Sequence, residues 1–185
     1  MSGIRVIAGT AKGRKLQQVP GDTTRPITDR VKESLFNILG TDVRGAAMLD
    51  LFAGTGSVGI EALSQGAVFV RFLDLEPRAI QTIRANLKIT RLEEKAEVLR
   101  VDAFKLLAQT PDRAFDYIYI APPQYKDLWL RALEGIDAHP GWLAADAWVV
   151  VQIDPREYAE KTLQNLIEFD QRRYGNTLLV FYRVK

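Results

Sequence analysis

Residues 48–67, MLDLFAGTGSVGIEALSQGA, leave this chain few ways to fold. Met48, Leu49 and Leu51 read as the apolar end of a buried strand. Gly54, Gly56 and Gly59 supply a tight turn, and Ile60, Leu63 and Ala67 fall on one face of a helix that Gly66 closes. Glycines let the backbone take conformations that side chains forbid, and the helix that follows points its free N–H groups back at the turn. A ligand can therefore lie against bare backbone in the field of the helix dipole. Such a stretch is a cofactor seat.

The pattern does not choose the cofactor by itself. Gly54-Thr-Gly56-Ser-Val-Gly59 satisfies G-x-G-x-x-G, and Asp74 stands where a ribose-binding acid belongs in a dinucleotide fold. The approach differs, because Asp50 ends the strand and Phe52 and Ala53 intervene before the first glycine. The string D-x-F-A-G-x-G-x-x-G resembles motif I of S-adenosylmethionine (SAM) dependent methyltransferases, where the acid helps hold the ammonium-bearing methionine end of the cofactor.

The remaining chain alternates strand and helix. Ile4 to Ala8 and Leu16 to Val19 suggest a small β-hairpin around Gly9 and Gly13, followed by an irregular, proline- and threonine-rich loop to Thr28. Asp29 is the expected N-cap of a helix ending at Leu39 before Gly40. Val68 to Leu73 and Val98 to Val101 read as strands that stop at Asp74 and Asp102. The carboxyl ends of strands are where open α/β sheets bind ligands, so Asp50, Asp74 and Asp102 are expected to converge on one crevice. Tyr117 to Ile120 is a fourth strand and Ala147 to Ile153 a fifth, with a helix from Lys126 to Ala138 between them. Leu166 to Asp170 and Leu178 to Val184 flank Gly175-Asn176 as a closing hairpin. This order predicts a doubly wound, Rossmann-like α/β sheet with a small N-terminal β appendage. Residues 1–28 are expected to form a basic arm and 29–185 the main domain.

At 185 residues there is room for one such domain and none for a separate substrate domain. No cysteine and one histidine argue against a metal site, and no apolar run reaches the length of a membrane span. With no signal-peptide pattern at the N-terminus, a cytoplasmic setting is expected. The charge is uneven. Residues 1–32 carry Arg5, Lys12, Arg14, Lys15, Arg25, Arg30 and Lys32 against two acids, +5 in a chain whose total is +2. A basic end on a slightly acidic body suggests a polyanion met from one side.

The chemical motif is Ala121-Pro122-Pro123-Gln124-Tyr125, directly after a strand. Two prolines fix a rigid corner and remove two N–H groups, leaving carbonyls free to accept. Beside a methyl donor, such carbonyls could take hydrogen bonds from an exocyclic amine on a nucleobase and favour the pyramidal nitrogen that attack requires. Tyr125 is the candidate to stack that base, with Phe115 and Tyr117 as poorer ones.

The whole chain resembles the RsmD family, bacterial enzymes that methylate the N2 amine of a guanine in small-subunit (16S) ribosomal RNA. The matching stretches are IRVIAGTAKGRK from Ile4, RPITDRVKESLFNIL from Arg25, the glycine turn, Asp74, Asp102, the double proline, Arg173-Tyr174-Gly175 and Phe181-Tyr182. The resemblance implies a mostly parallel, seven-stranded methyltransferase sheet, SAM as cofactor, and ribosomal RNA or the assembling small subunit as partner. It implies that Asp50 and Gly54 to Gly56 face the methionine moiety, Asp74 the ribose hydroxyls, and Asp102 with Ala103 the adenine, with Phe52 and Leu75 also binding the cofactor. Ala121, Pro122, Pro123 and Tyr125 would carry the reaction, and Arg5, Lys12, Arg14, Lys15, Arg25 and Arg30 would bind RNA. The chain departs from the family's D-P-P-Y or D-P-P-F in having Ala121 before the prolines and Gln124 before the aromatic. Other readings stay open: a SAM-binding assembly module with little catalysis, a methyltransferase with another target base, and a nucleotide-dependent oxidoreductase.

Overall fold

The computed structural model describes residues 3–21 and 26–185, so Arg25 of the expected RNA-binding set lies outside the described residues. The chain divides into two compact units, one running to Val101 and the other Asp102–Lys185.

In the first unit, helix α1 (Asp29–Leu39) is capped by Thr28, one residue before the expected cap. The extended backbone at Thr28 turns its hydroxyl onto the Val31 N–H at 3.3 Å. Asp29 becomes the first helical residue, and its carboxylate accepts the Arg5 N–H and pairs with the Arg5 guanidinium at 3.3 Å. Strands β1 (Ala47–Asp50), β2 (Phe69–Asp74) and β3 (Ala96–Arg100) run parallel, with Ala47 opposite Phe69 and Asp74 opposite Arg100. Helix α2 (Ser57–Ser64) crosses from β1 to β2. Helix α3 (Pro77–Thr90), which starts on its proline, crosses from β2 to β3 with Ile80, Ile83 and Leu87 buried as their spacing predicts.

Helix α2 ends earlier than its apolar spacing suggests. All eight of its residues are buried, so it has no solvent face, and Ala67 lies beyond its end. Its outer side is roofed by the N-terminal segment, which buries Ile4, Val6, Ala11 and Leu16. The polar groups on that side are all used. Glu61 accepts the N–H groups of Ile7 and Ala8 at 2.8 and 3.1 Å, and Ser64 exchanges hydrogen bonds with Ala11 and Ala8. Because these N–H groups go to α2, the expected hairpin shrinks to one antiparallel bridge between Arg5 and Lys15. Gly59, read as part of the turn, is inside the helix; a Cβ there would lie 2.3 Å from the Phe72 ring. The third glycine therefore serves close approach of helix to sheet.

The second unit holds α4 (Ala103–Leu107), β4 (Phe115–Ile120), α5 (Leu128–Ala138), β5 (Leu143–Ile153), β6 (Leu166–Tyr174) and β7 (Thr177–Val184). β4 and β5 are parallel, with Ile120 opposite Val151, and β7 runs antiparallel to both β5 and β6. The closing hairpin turns at Gly175-Asn176, and its strands extend further than the sequence pattern suggests. Trp148 is half-buried, its ring against those of Tyr117, Phe169 and Phe181. Phe115 and Tyr117 are buried, so neither can stack an incoming base.

The seven strands follow the order β3-β2-β1-β4-β5-β7-β6, a mostly parallel sheet with one reversed strand. This is the doubly wound α/β architecture that the alternation of elements predicts. Among the described residues, no helix is long and apolar enough to cross a membrane.

Candidate functional site

The first unit carries the glycine turn. Asp50, the last residue of β1, is 1% exposed, and its Oδ1 has no hydrogen-bond partner. Burial, and then the nearby charge of Asp74, push its carboxyl up to about 8, against the opposing hydrogen bond from the Phe52 backbone. Asp74, ending β2, accepts the Gly54 N–H at 2.9 Å with one oxygen and the Glu76 N–H at 2.9 Å with the other. Gly54 and Gly56 have φ of 56° and 78°, which a side chain rarely tolerates. A Cβ on Gly54 would point into open space, so the backbone there is free to be approached. Phe52 is half-buried, while Leu75 is exposed and gives its carbonyl to Arg100.

A buried acid with an unmet acceptor beside a second acid is suited to a cation that carries N–H donors. The ammonium of a methionine moiety has that chemistry, so the residues present fit the methionine end of SAM.

The turn is anchored by two buried side chains, Lys32 and Asn86. Lys32 Nζ donates to the Arg5 carbonyl at 2.6 Å and to Ser57 Oγ at 2.9 Å, and lies 3.3 Å from Glu61. Both charged side chains of this pair are fully buried. Burial lowers the pKa of Lys32, with Glu61 opposing. Asn86 of α3 donates to the carbonyls of Thr55 and Gln17 and accepts the Gln17 N–H. Lys32, counted above in the basic arm, is thus unavailable to a polyanion. Lys12, Arg14, Lys15 and Arg30 are exposed, and Arg5 is exposed but paired with Asp29.

In the second unit, Asp102 caps α4 by accepting the N–H groups of Phe104 and Lys105 at 2.8 and 3.2 Å, and Ala103 is the buried first residue of that helix. Ala121 and Pro122 are half-buried, while Pro123 and Tyr125 are exposed. Tyr125 has φ of 62°, an outlier for an aromatic residue that costs on the order of 1–3 kcal/mol. Three residues just after β5 hold it there. Its N–H donates to Glu157 at 2.7 Å, its hydroxyl donates to Asp154 at 2.8 Å, and Arg156 donates to the hydroxyl at 2.6 Å. Asp154 and Glu157 also close a capping box on each other. The Arg156 guanidinium beside Asp154 holds its carboxyl well below the usual carboxylate range. The pattern Asp-Pro-Arg-Glu after a strand is the sequence signal for this cluster.

The family described as "Conserved hypothetical protein 95" matches residues 4–183. The chain belongs to this family, the RsmD family that its motifs resemble. Among similar proteins, YlbH of Bacillus subtilis is 40% identical over 182 residues, spanning 97% of this chain and 98% of that protein. Ribosomal RNA small subunit methyltransferase D of Haemophilus influenzae is 35% identical over 153 residues, 82% of this chain and 79% of that one. The structure of the Escherichia coli methyltransferase yhhF superposes with a TM-score of 0.88 at 30% identity, covering 100% of this chain and 99% of that one. The family likeness thus runs through both units, including the glycine turn and the double proline.

Proposed function

We propose that this protein transfers a methyl group from SAM to the exocyclic N2 amine of a guanine in 16S ribosomal RNA, acting in the cytoplasm on the RNA or on the assembling small subunit. The observation that carries this reading is 35% identity, over 80–82% of the chain, with proteins named ribosomal RNA small subunit methyltransferase D. The unmet oxygen of buried Asp50 supports the cofactor.

When bound, SAM supplies a methyl carbon made electrophilic by its sulfonium. Asp50 pairs with the ammonium, and the backbone at Gly54 and Gly56 lets the methionine moiety approach closely, next to Phe52. Asp74, whose oxygens each retain acceptor capacity, takes the ribose hydroxyls beside Leu75. Asp102 and Ala103 flank the adenine. The carbonyls of Ala121 and Pro122 accept the N–H bonds of the target amine, the corner at Pro122-Pro123 keeps them aimed, and Tyr125 stacks the base. Residues 1–28 act as the RNA-contacting arm through Arg5, Lys12, Arg14, Lys15, Arg25 and, just beyond it, Arg30.

The test is methyl transfer from labelled SAM to undermethylated small subunits, with mass mapping of the modified nucleoside. Transfer to guanine N2 that weakens steeply with salt supports the reading, because phosphate contacts release counterions. SAM binding without transfer would favour the assembly-module reading, which Ala121 and the displaced aromatic independently suggest. Modification at another amine would mean that the base target has changed.

Ala121 supplies only its backbone, so the side-chain acceptor of the family pattern is missing. Restoring it with Ala121→Asp is expected to raise kcat by roughly 10- to 150-fold, the value of a charge-assisted hydrogen bond made only in the transition state. An unchanged kcat would mean that another group already fills that place.

A further inference from the structure

We infer that Asp154 is a positioning residue that, together with Arg156 and Glu157, sets Tyr125 as the platform for the target base. This rests on the methyltransferase reading and goes beyond it, since no motif or relative assigns these three residues a role.

The observation is that a single four-residue segment engages Tyr125 at both ends of the side chain and over its ring. Glu157 takes the backbone N–H at 2.7 Å, Asp154 and Arg156 take the two roles open to the hydroxyl at 2.8 and 2.6 Å, and the guanidinium carbon stands 5.6 Å from the ring centroid. Tyr125 is 58% exposed, and on an unattached loop a ring so exposed would sample several rotamers. Here neither φ nor the side-chain torsions are free, because both termini of the residue are fixed to one rigid turn after β5.

Asp154 is held rather than offered. Its Oδ1 accepts the Arg156 N–H and Nε–H at 2.9 and 3.0 Å, and its Oδ2 accepts the Tyr125 hydroxyl and an Arg156 terminal N–H at 2.8 and 2.9 Å. Four donors fill both oxygens, which leaves no place for the amine of a substrate. The carboxylate therefore acts through Tyr125. Gln124 explains why a latch is needed: it separates the aromatic from the rigid proline corner, so the ring must take its orientation from elsewhere.

The experiment is a double-mutant cycle on Tyr125→Phe and Asp154→Ala, assayed on undermethylated small subunits, with SAM affinity and melting temperature measured alongside. Each single variant is expected to lower kcat/KM for the RNA substrate about tenfold with SAM affinity unchanged, and the double variant to be no worse than the weaker single one. Activity equal to wild type in both single variants, or losses that multiply in the double, would overturn the proposal. Should Asp154→Ala not fold, Tyr125→Phe and Glu157→Gln carry the same test, since neither removes a buried group. Amide exchange at Tyr125 gives a readout that needs no turnover, and it is expected to speed up in Glu157→Gln. A wild-type protein that binds SAM but methylates nothing overturns the methyltransferase reading and the platform role with it. Slow exchange at Tyr125 in that protein would still separate this failure from the absence of a latch.

Discussion

Asp50→Asn is expected to make the ligand-free protein more heat-stable at pH 8 while weakening its hold on SAM by about 10- to 100-fold, the worth of one buried charge-assisted hydrogen bond. Both effects come from one displaced titration. The Asp50 carboxyl is pushed up to about 8 in the fold, above its ordinary value of 3.8. The folded protein then keeps a proton that the unfolded chain gives up. Its contribution to stability is complete below the unfolded value and is lost as pH rises through about 8. Asparagine has no proton to lose, so the variant escapes this decline. Cofactor binding runs the other way. Pairing with an ammonium requires the carboxylate, so wild-type affinity rises toward pH 8 by up to about tenfold per unit, and levels off where an α-amino group itself begins to deprotonate, near 7.7–8.0. Calorimetric titration between pH 6 and 8, on wild type and Asp50→Asn, checks both slopes. A wild-type affinity that is flat over this range, or an asparagine variant that binds equally well, would remove Asp50 from the cofactor site.

Lys32→Met is expected to destabilise the protein by about 3–5 kcal/mol, because it leaves Glu61 as an uncompensated charge in a fully buried position. Glu61→Gln should cost a similar amount from the opposite side, stranding the Lys32 ammonium and weakening the acceptors of the Ile7 and Ala8 N–H groups. Urea titrations of the two variants measure this directly. Lys32 also holds Ser57, the first residue of the helix that follows the glycine turn, so its loss should additionally weaken SAM binding. A surface lysine would give neither effect, and a loss below about 1 kcal/mol would return Lys32 to the role of an ordinary exposed charge.

Much of the first unit is legible in the sequence because its causes are local. An acid at a strand end, glycines where φ must be positive, and apolar residues at helical spacing each constrain only a few neighbouring residues. The alternation of strands and helices, the terminal hairpin and the proline start of α3 were readable for the same reason. What escaped depends on partners far along the chain. The charge of Lys32 says nothing about Glu61, and Gly59 owes its lack of a side chain to Phe72 on the next strand. The outer side of α2 is covered by residues more than fifty positions earlier. Thr28 takes the cap, and Asp29 pairs instead with Arg5, more than twenty positions earlier. In the second unit, Tyr125 could be named as the aromatic, but the residues that fix it lie about thirty positions later.

The roof over α2 also bears on how the chain is made. Residues 7–11 find their hydrogen-bonding partners on Glu61 and Ser64, and Gln17 finds its own only on Asn86. During synthesis residues 7–11 therefore go without these partners until α2 has emerged, and Gln17 until α3 has. Segments translated before α2 and α3 are thus bound into the first unit only after those helices have formed.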